Sequence, residues 1–236
     1  MEKYVPLMDD FLVNFTPKLS GLWYVDETVL KFRPSRPPSD WQRRHKIRRL
    51  GEEWWQWDGI DDGTRFLIGT RVSKTRTFTE GYAFLKPCAD LLPDPYEGHT
   101  DSLAVYRRLF KKIWGGRVKH VASDSGFRPN QPVERFHGTV KDRIRPMRGL
   151  KSPESPIPRL IAIDYNFLRP HTALDRMTPA RAAGIELPLT PNDGWGDLIG
   201  LATRYQTLRE MARRGAKAKP LTRDAAQVTL VTEKLP

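Results

Sequence analysis

The sequence predicts an α/β fold, a mixed sheet flanked by helices, on three observations. Runs rich in Val, Trp, Tyr and Phe recur in the N-terminal half, bounded by Pro, Gly or Asp as strands are. Two later segments, SLAVYRRLFKKIW and Pro132 to Arg145, instead space their apolar residues as helices do. Their order, strand, strand, strand, helix, short strand, helix, is that of a sheet covered by helices.

Residues 1–20, with Pro6 and Pro17, contain few regular signals and read as a leader or linker. The run LWYVDETVLKF from Leu22 suits a largely buried strand, ended before Pro34, Pro37 and Pro38. EEWWQWDGI and RFLIGTRVS read as two strands joined by a turn at Asp61, Asp62 and Gly63. Thr77 to Leu85 suggests a short helix, and Pro87, Pro93 and Pro95 a loop after it. Leu103, Tyr106, Leu109, Phe110 and Ile113 form one helical face, stopped by Gly115 and Gly116. RVKHVAS then reads as a short strand.

Pro132 to Arg145 is the most informative helix. Val133, Phe136, Val140 and Ile144 make an apolar stripe, and Glu134, His137, Lys141 and Arg145 repeat that spacing one position later. At about 100° per residue these are adjacent stripes, one for the core and one facing whatever the core supports. Pro132 suits a first turn and Pro146 ends or kinks the helix. RLIAIDYNFL reads as a further helix, and residues 186–236 as a basic C-terminal extension with freedom to move.

Lys and Arg number 40 against 28 Asp and Glu, a net charge of +12. The excess is concentrated: Lys31 to Arg49 carries +7 and Arg135 to Leu160 carries +5, leaving the remainder balanced. Such clustering is the footprint of a polyanionic partner. No run approaches the ~20 apolar residues of a membrane span, and the first 30 residues carry Asp9, Asp10, Lys18, Asp26 and Glu27 where a secretory leader would be apolar. The lone Cys88 excludes an internal disulfide, and five scattered His offer no structural zinc pattern, so a reducing cytosol is expected.

Three acids stand out by position. Asp26 lies within an apolar strand, where a buried charge is costly unless paired or metal-bound. Asp101 lies where a short extended segment enters a helix, and Glu134 lies in the first turn of the amphipathic helix. Each also has a plain structural explanation: an edge position for Asp26, a helix cap for Asp101, and a favourable helix N-terminus for Glu134. Together they offer the oxygen ligands that two divalent cations, about 3.5–4 Å apart, require for phosphodiester chemistry.

The segments WYVDET, TDSLAVYRR and NQPVERFHGTVKDRIRPMRGLKS resemble the catalytic core of DDE transposases of prokaryotic insertion sequences, in the retroviral-integrase-like superfamily. YNFLRPHTALDRMTPARAAGI resembles the segment that often follows that core. The resemblance covers residues 21–185, and its most specific part is Glu134 with His137 three and Lys141 seven residues later. The 32 residues between Asp101 and Glu134 are close to the superfamily's spacing; Asp124, a competitor for the second acid, is only ten residues from Glu134.

The resemblance implies an RNase H-like fold with a mixed five-stranded sheet. It further implies two Mg²⁺ ions, with Mn²⁺ as substitute, bridged by Asp26 and held by Asp101 and Glu134 as catalytic and metal-ligating residues. Metal-activated water would free a 3′-OH at the element's end, and that 3′-OH would attack target DNA. Lys141, His137, Arg143, Arg145 and Arg148, with Arg43, Arg44 and Arg48 of the first basic stretch, are the expected contacts to double-stranded DNA, with a structural role as the alternative for His137, a lone histidine. A homo-oligomer on DNA, a cytoplasmic, nucleoid-associated location and no membrane are expected as well. The family's N-terminal helix-turn-helix has no counterpart in the roughly 20 residues before the first strand, so a truncated copy, half of a split frame, or a protein that borrows its DNA recognition elsewhere is expected. The other readings are an inactive DNA-binding remnant and an RNase H-like nuclease.

Overall fold

A computed structural model describes residues 3–32, 52–123 and 131–213, and divides the chain into two compact units. The larger, Pro17–Gly184, is built on a five-stranded sheet. Its strands are β1 (Leu22–Lys31), β2 (Glu53–Asp61), β3 (Leu67–Ser73), β4 (Glu97–Thr100) and β5 (Lys119–Ala122), in the order β3-β2-β1-β4-β5. The first three are antiparallel neighbours; β4 pairs parallel with both β1 and β5. The α/β prediction therefore holds, and the sheet is mixed.

Alternation along β1 decides what each face buries. Trp23 and Val25 point into a core built with Trp57 of β2 and with helices α2 (Phe78–Leu91) and α3 (Ala104–Trp114). Leu30, with Tyr24 packed at the edge, points into a second core with α4 (Gln131–Ile144) and α5 (Ile157–Ile163). The predicted stripe of α4 is buried as expected: Val133, Phe136, Val140 and Ile144 all lie in this second core.

The expected turn between β2 and β3 is fastened by Asp61. Its fully buried carboxylate accepts from Ser20 N and Oγ, Gly21 N, and Thr64 N and Oγ1, at 2.7–3.1 Å. One carboxylate thus joins the entry to β1 to the exit from β2. Beyond α5 the chain makes a π turn, Asp164–Leu168, whose buried Asn166 amide exchanges hydrogen bonds with Leu67 N and O at 2.8 and 2.9 Å. This supplies β3 with side-chain partners where a neighbouring strand would otherwise be needed. The short α6 (Pro179–Ala182) follows, its Thr178 cap accepting from Arg181 N.

Two elements differ from expectation. Pro87 lies inside α2 instead of in a loop, because Phe84, Leu85 and Cys88 on either side of it are buried in the first core. That packing offsets the roughly 3 kcal/mol a proline costs within a helix. Residues 1–20 are not wholly irregular: α1 (Tyr4–Leu12) buries Val5, Met8, Phe11 and Leu12. Pro6, tolerated in a first turn, and the acids at 9 and 10 masked that periodicity in the sequence.

The smaller unit, Met1–Thr16 with Ile185–Pro236, pairs α1 with α7 (Gly194–Arg213). Phe11 and Tyr205 rings meet at 5.7 Å, Tyr205 Oη donates to Asn14 Oδ1, and Arg209 pairs with Asp10. No helix among the described residues is long and apolar enough to cross a membrane.

Gly98 of β4 has no room for a side chain, since a Cβ there would lie 2.3 and 2.4 Å from the Phe110 ring. Gly98→Ala is expected to lower the unfolding free energy by about 1–3 kcal/mol through overpacking, read from urea denaturation. An unchanged midpoint would mean that Phe110 yields without cost.

Candidate active site

The parallel register of β1 and β4 assembles the site. Leu22, Trp23 and Tyr24 pair with Glu97, Gly98 and His99. Carried two residues further, that register sets Asp26 level with Asp101, just beyond the end of β4. Asp26, Glu27 and Asp101 each bring a carboxylate oxygen to within 4.8 Å of the others. Asp101 Oδ1 accepts from Leu103 N at 2.9 Å, so the same side chain stiffens the entry into α3.

Adjacent residues of a strand face opposite ways, and the environments of Asp26 and Glu27 differ accordingly. Glu27 points to the α3 side, where Tyr106 Oη donates to Oε2 at 2.5 Å and Arg76 Nη1 lies 3.3 Å from Oε1. The Arg76 guanidinium also stacks on Trp55 at 4.4 Å. Burial raises the Glu27 carboxyl above its ordinary value, opposed by the bond from Tyr106. Burial likewise holds the Tyr106 phenol well above its usual range, which keeps it a donor.

Asp26 points to the α4 side. Its Oδ1 accepts from Glu27 N at 2.9 Å, and His137 Nδ1 stands 3.9 Å from its Oδ2. The far side of the same imidazole reaches Asp58, the cross-strand partner of Asp26: Nε2 lies 3.1 Å from Asp58 Oδ2, although the N–H is not aligned on it. Asp58 is fully buried, with Gln56 Nε2 within 3.0 and 3.1 Å of its two oxygens. Desolvation pushes the Asp26 carboxyl up to about 7, with His137 pulling the other way.

Glu134 lies outside this carboxylate group, exposed in the first turn of α4. His137 does not face outward with the rest of its predicted stripe; its buried ring sits between Asp26 and Asp58, and the surface role expected for it is corrected to an internal one. Lys141, Arg143, Arg145 and Arg148 are exposed, with Arg143 paired to Asp164 and Arg145 to Asp142. Arg43, Arg44 and Arg48, and the competitor Asp124, lie outside the described residues. Glu27 and Asp58 were not singled out from the sequence. Asp58 carried the same signal as Asp26, an acid within an apolar strand, and the alternation with Trp23 and Val25 marked Glu27 as inward-facing.

The donor set fits a hard divalent cation: the converging ligands are all carboxylate oxygens, as Mg²⁺ prefers. Asp26, raised by burial, is the group whose ionised form such a cation would favour. In the metal-free protein, folded Asp26 keeps its proton to about pH 7 whereas the unfolded chain releases it near the ordinary value of 3.8. The folded state then binds more protons in that window, so this contribution to stability is full below it and lost as pH rises through it. Urea unfolding at a series of pH values in chelator should show that decline, and Asp26→Asn should flatten it. A decline unaltered in the variant would assign it to other groups. Tyr106→Phe, which strips a buried partner from Glu27, is expected to cost about 1–3 kcal/mol in the same assay.

Residues 46–161 match a family model described as a DDE domain, of the IS240 transposase type. That span includes Asp101 and Glu134 but begins beyond β1 and Asp26. Among curated proteins, none matches the chain. Among solved structures, the HTLV-2 integrase catalytic core domain in complex with magnesium, in a dimeric form, aligns at 15% identity over 72% of this chain and 99% of its own, with a TM-score of 0.50. Its trimeric form aligns at 16% identity over 72% and 98%, with a TM-score of 0.50. The simian T-cell lymphotropic virus intasome, in complex with PP2A regulatory subunit B56 gamma, aligns at 14% identity over 75% and 57%, with a TM-score of 0.52. At such identities the likeness is one of fold, the RNase H-like architecture of integrase catalytic cores.

Proposed function

We propose that the chain is a DDE transposase of DNA transposition and integration, and that Asp26, Asp101 and Glu134 are the carboxylates with which it cleaves and joins DNA. The observation that carries this reading is the convergence of Asp26 and Asp101 from neighbouring parallel strands. Glu134 stands outside that group in the first turn of α4, one helical turn before His137, whose ring lies beside Asp26, and would be the third ligand from that side. Magnesium, as two ions with manganese as substitute, would activate the attacking oxygen and offset charge on the leaving one.

The chain's own residues set the stage for that chemistry. His137, lodged against Asp58, lies beside the Asp26 carboxylate on the α4 side of β1, where its charge would favour the ionised acid. Tyr106 and Arg76 restrain Glu27, so that this third acid sits at the edge of the group with both oxygens engaged. Lys141, Arg145 and Arg148 line the exposed flank of α4 and the turn after it, where they would neutralise phosphates on double-stranded DNA at the element end and target. A homo-oligomer assembled on DNA would present two such sites to the paired ends.

The test is nicking and joining of duplexes bearing the terminal sequences that flank the gene, in Mg²⁺ or Mn²⁺. Asp26→Asn and Asp101→Asn should each reduce both products to background; activity surviving both would overturn the reading. Nicked product without joined product would instead favour a nuclease. Lys141→Ala should weaken DNA binding uniformly across sequences and reduce the salt slope by about 1, measured by fluorescence anisotropy.

A further inference from the structure

The backbone pairing of β1 with β4 stops at Tyr24 and His99. Asp26 and Asp101 both lie two residues past that last pair, so the ladder brings them level without bonding them to each other. A side-chain link crosses the gap. Tyr106 of α3 donates its Oη to Glu27 Oε2 at 2.5 Å, and Glu27 directly follows Asp26. On the other side, Asp101 Oδ1 accepts from Leu103 N at 2.9 Å, and Leu103 O accepts from Tyr106 N at 3.0 Å. The chain of contacts therefore runs from Asp101 through the first turn of α3 to Glu27, the neighbour of Asp26.

Glu27 is braced to be the fixed end of that link. Its cross-strand partner Trp57 is fully buried, meets the Tyr106 ring edge-on at 5.9 Å, and donates Nε1 to Ser73 Oγ at 2.8 Å. Ser73 Oγ in turn donates to Thr75 O at 2.7 Å, which fastens the loop that carries Arg76. Arg76 lies 3.3 Å from Glu27 Oε1 and stacks on Trp55. Both carboxylate oxygens of Glu27 are thus engaged, and its side chain is 2% exposed against 16% for Asp26. A Mg²⁺ ion, which keeps several of its waters, is better served by the more open acid.

Proximity alone would make Glu27 a ligand beside Asp26 and Asp101, since oxygens of the three lie within 4.8 Å of one another. Its engaged oxygens assign it another task. We propose that Glu27 is a positioning residue and not a metal ligand: its bond to Tyr106 fixes Asp101 opposite Asp26 beyond the end of the ladder. The proposal rests on the transposase reading, since it takes Asp26 and Asp101 as the ligands of the cation. It adds that a neutral acceptor at position 27 suffices, because the side chain accepts a phenol and supplies no charge to the ion. The two roles also give opposite signs for Tyr106→Phe: a ligand would be released, whereas a positioning link would be lost.

The experiment titrates Mn²⁺ alone into the full chain and follows the electron paramagnetic resonance signal of the free ion, with circular dichroism to establish that each variant is folded. Glu27→Gln, which keeps an oxygen for Tyr106 Oη, should bind Mn²⁺ as the unaltered chain does. Glu27→Ala and, independently, Tyr106→Phe should each weaken binding by about tenfold or more, as loss of a group that orients a metal ligand does. Asp26→Asn and Asp101→Asn should abolish saturable binding. Glu27→Gln binding as poorly as Asp26→Asn would overturn the proposal and make Glu27 a ligand. Affinity unchanged or tightened in Tyr106→Phe would overturn it too, and would leave the phenol a purely structural role read in the unfolding midpoint. Should Tyr106→Phe fail to fold, Glu27→Gln set against Glu27→Ala decides the matter, and equal affinities in that pair would overturn the proposal. Those results leave the metal centre standing. Undiminished binding in both Asp26→Asn and Asp101→Asn would instead overturn the reading of that centre, and the proposal with it.

Discussion

The parallel pairing of β1 with β4 is the constraint on which the rest of this molecule depends. It rests on very little sheet, three partnered residues on β1 and a four-residue strand. Yet a slip of one residue would turn every side chain of β4 to the other face and part Asp101 from Asp26. The surroundings hold that register from several sides. Phe110 closes over Gly98, where no other residue fits, Ser123 N donates to Thr100 O at 3.0 Å, and Lys119 N to Tyr96 O at 3.1 Å. Packing of α3 and pairing of β5 thus serve the position of one carboxylate.

Given that register, the neighbouring acids of β1 have no choice but to face different cores. Glu27 enters a setting that provides what a buried carboxylate needs, a phenol and a guanidinium. Asp26 has a backbone amide and, at longer range, an imidazole shared with another buried acid. The outcome is an asymmetry within a dipeptide: one carboxylate satisfied by the protein, the other destabilised in its charged form by burial. Cation binding draws on that second kind of site, because an ion can favour the charged form that the protein alone disfavours.

Charge is sorted by depth. Acids gather inside, at Asp26, Glu27, Asp58 and Asp101, while Lys141, Arg145 and Arg148 stand in solvent along and beyond α4. The net +12 of the chain therefore coexists, among the described residues, with a partly buried cluster of opposite sign. For a partner that is a polyanion with a phosphodiester to be cut, this is a sensible division. Exposed cations would draw such a backbone in, and the metal ions proposed for the chemistry would be held where the acids converge.

Much of this was legible in the sequence because it is local. Strand alternation, the apolar stripe of α4, the turn at Asp61 to Gly63 and the isolated acids at 26, 101 and 134 are patterns within a few residues of one another. The α/β order followed from them. What the sequence could not determine was pairing. Asp58 bore the same signal as Asp26, but its importance came from standing opposite Asp26 across two strands with His137 between them. His137 shared a spacing with exposed Lys141 and Arg145, yet helical periodicity assigns a stripe, and only the sheet beneath α4 decided that this one member would be drawn inward. Tyr106 read as one more apolar residue of a helix until Glu27 arrived from 79 positions away. Side-chain chemistry and local periodicity are properties of the chain, whereas the contacts that turn a carboxylate into a site depend on register between distant segments, which the packed fold alone decides.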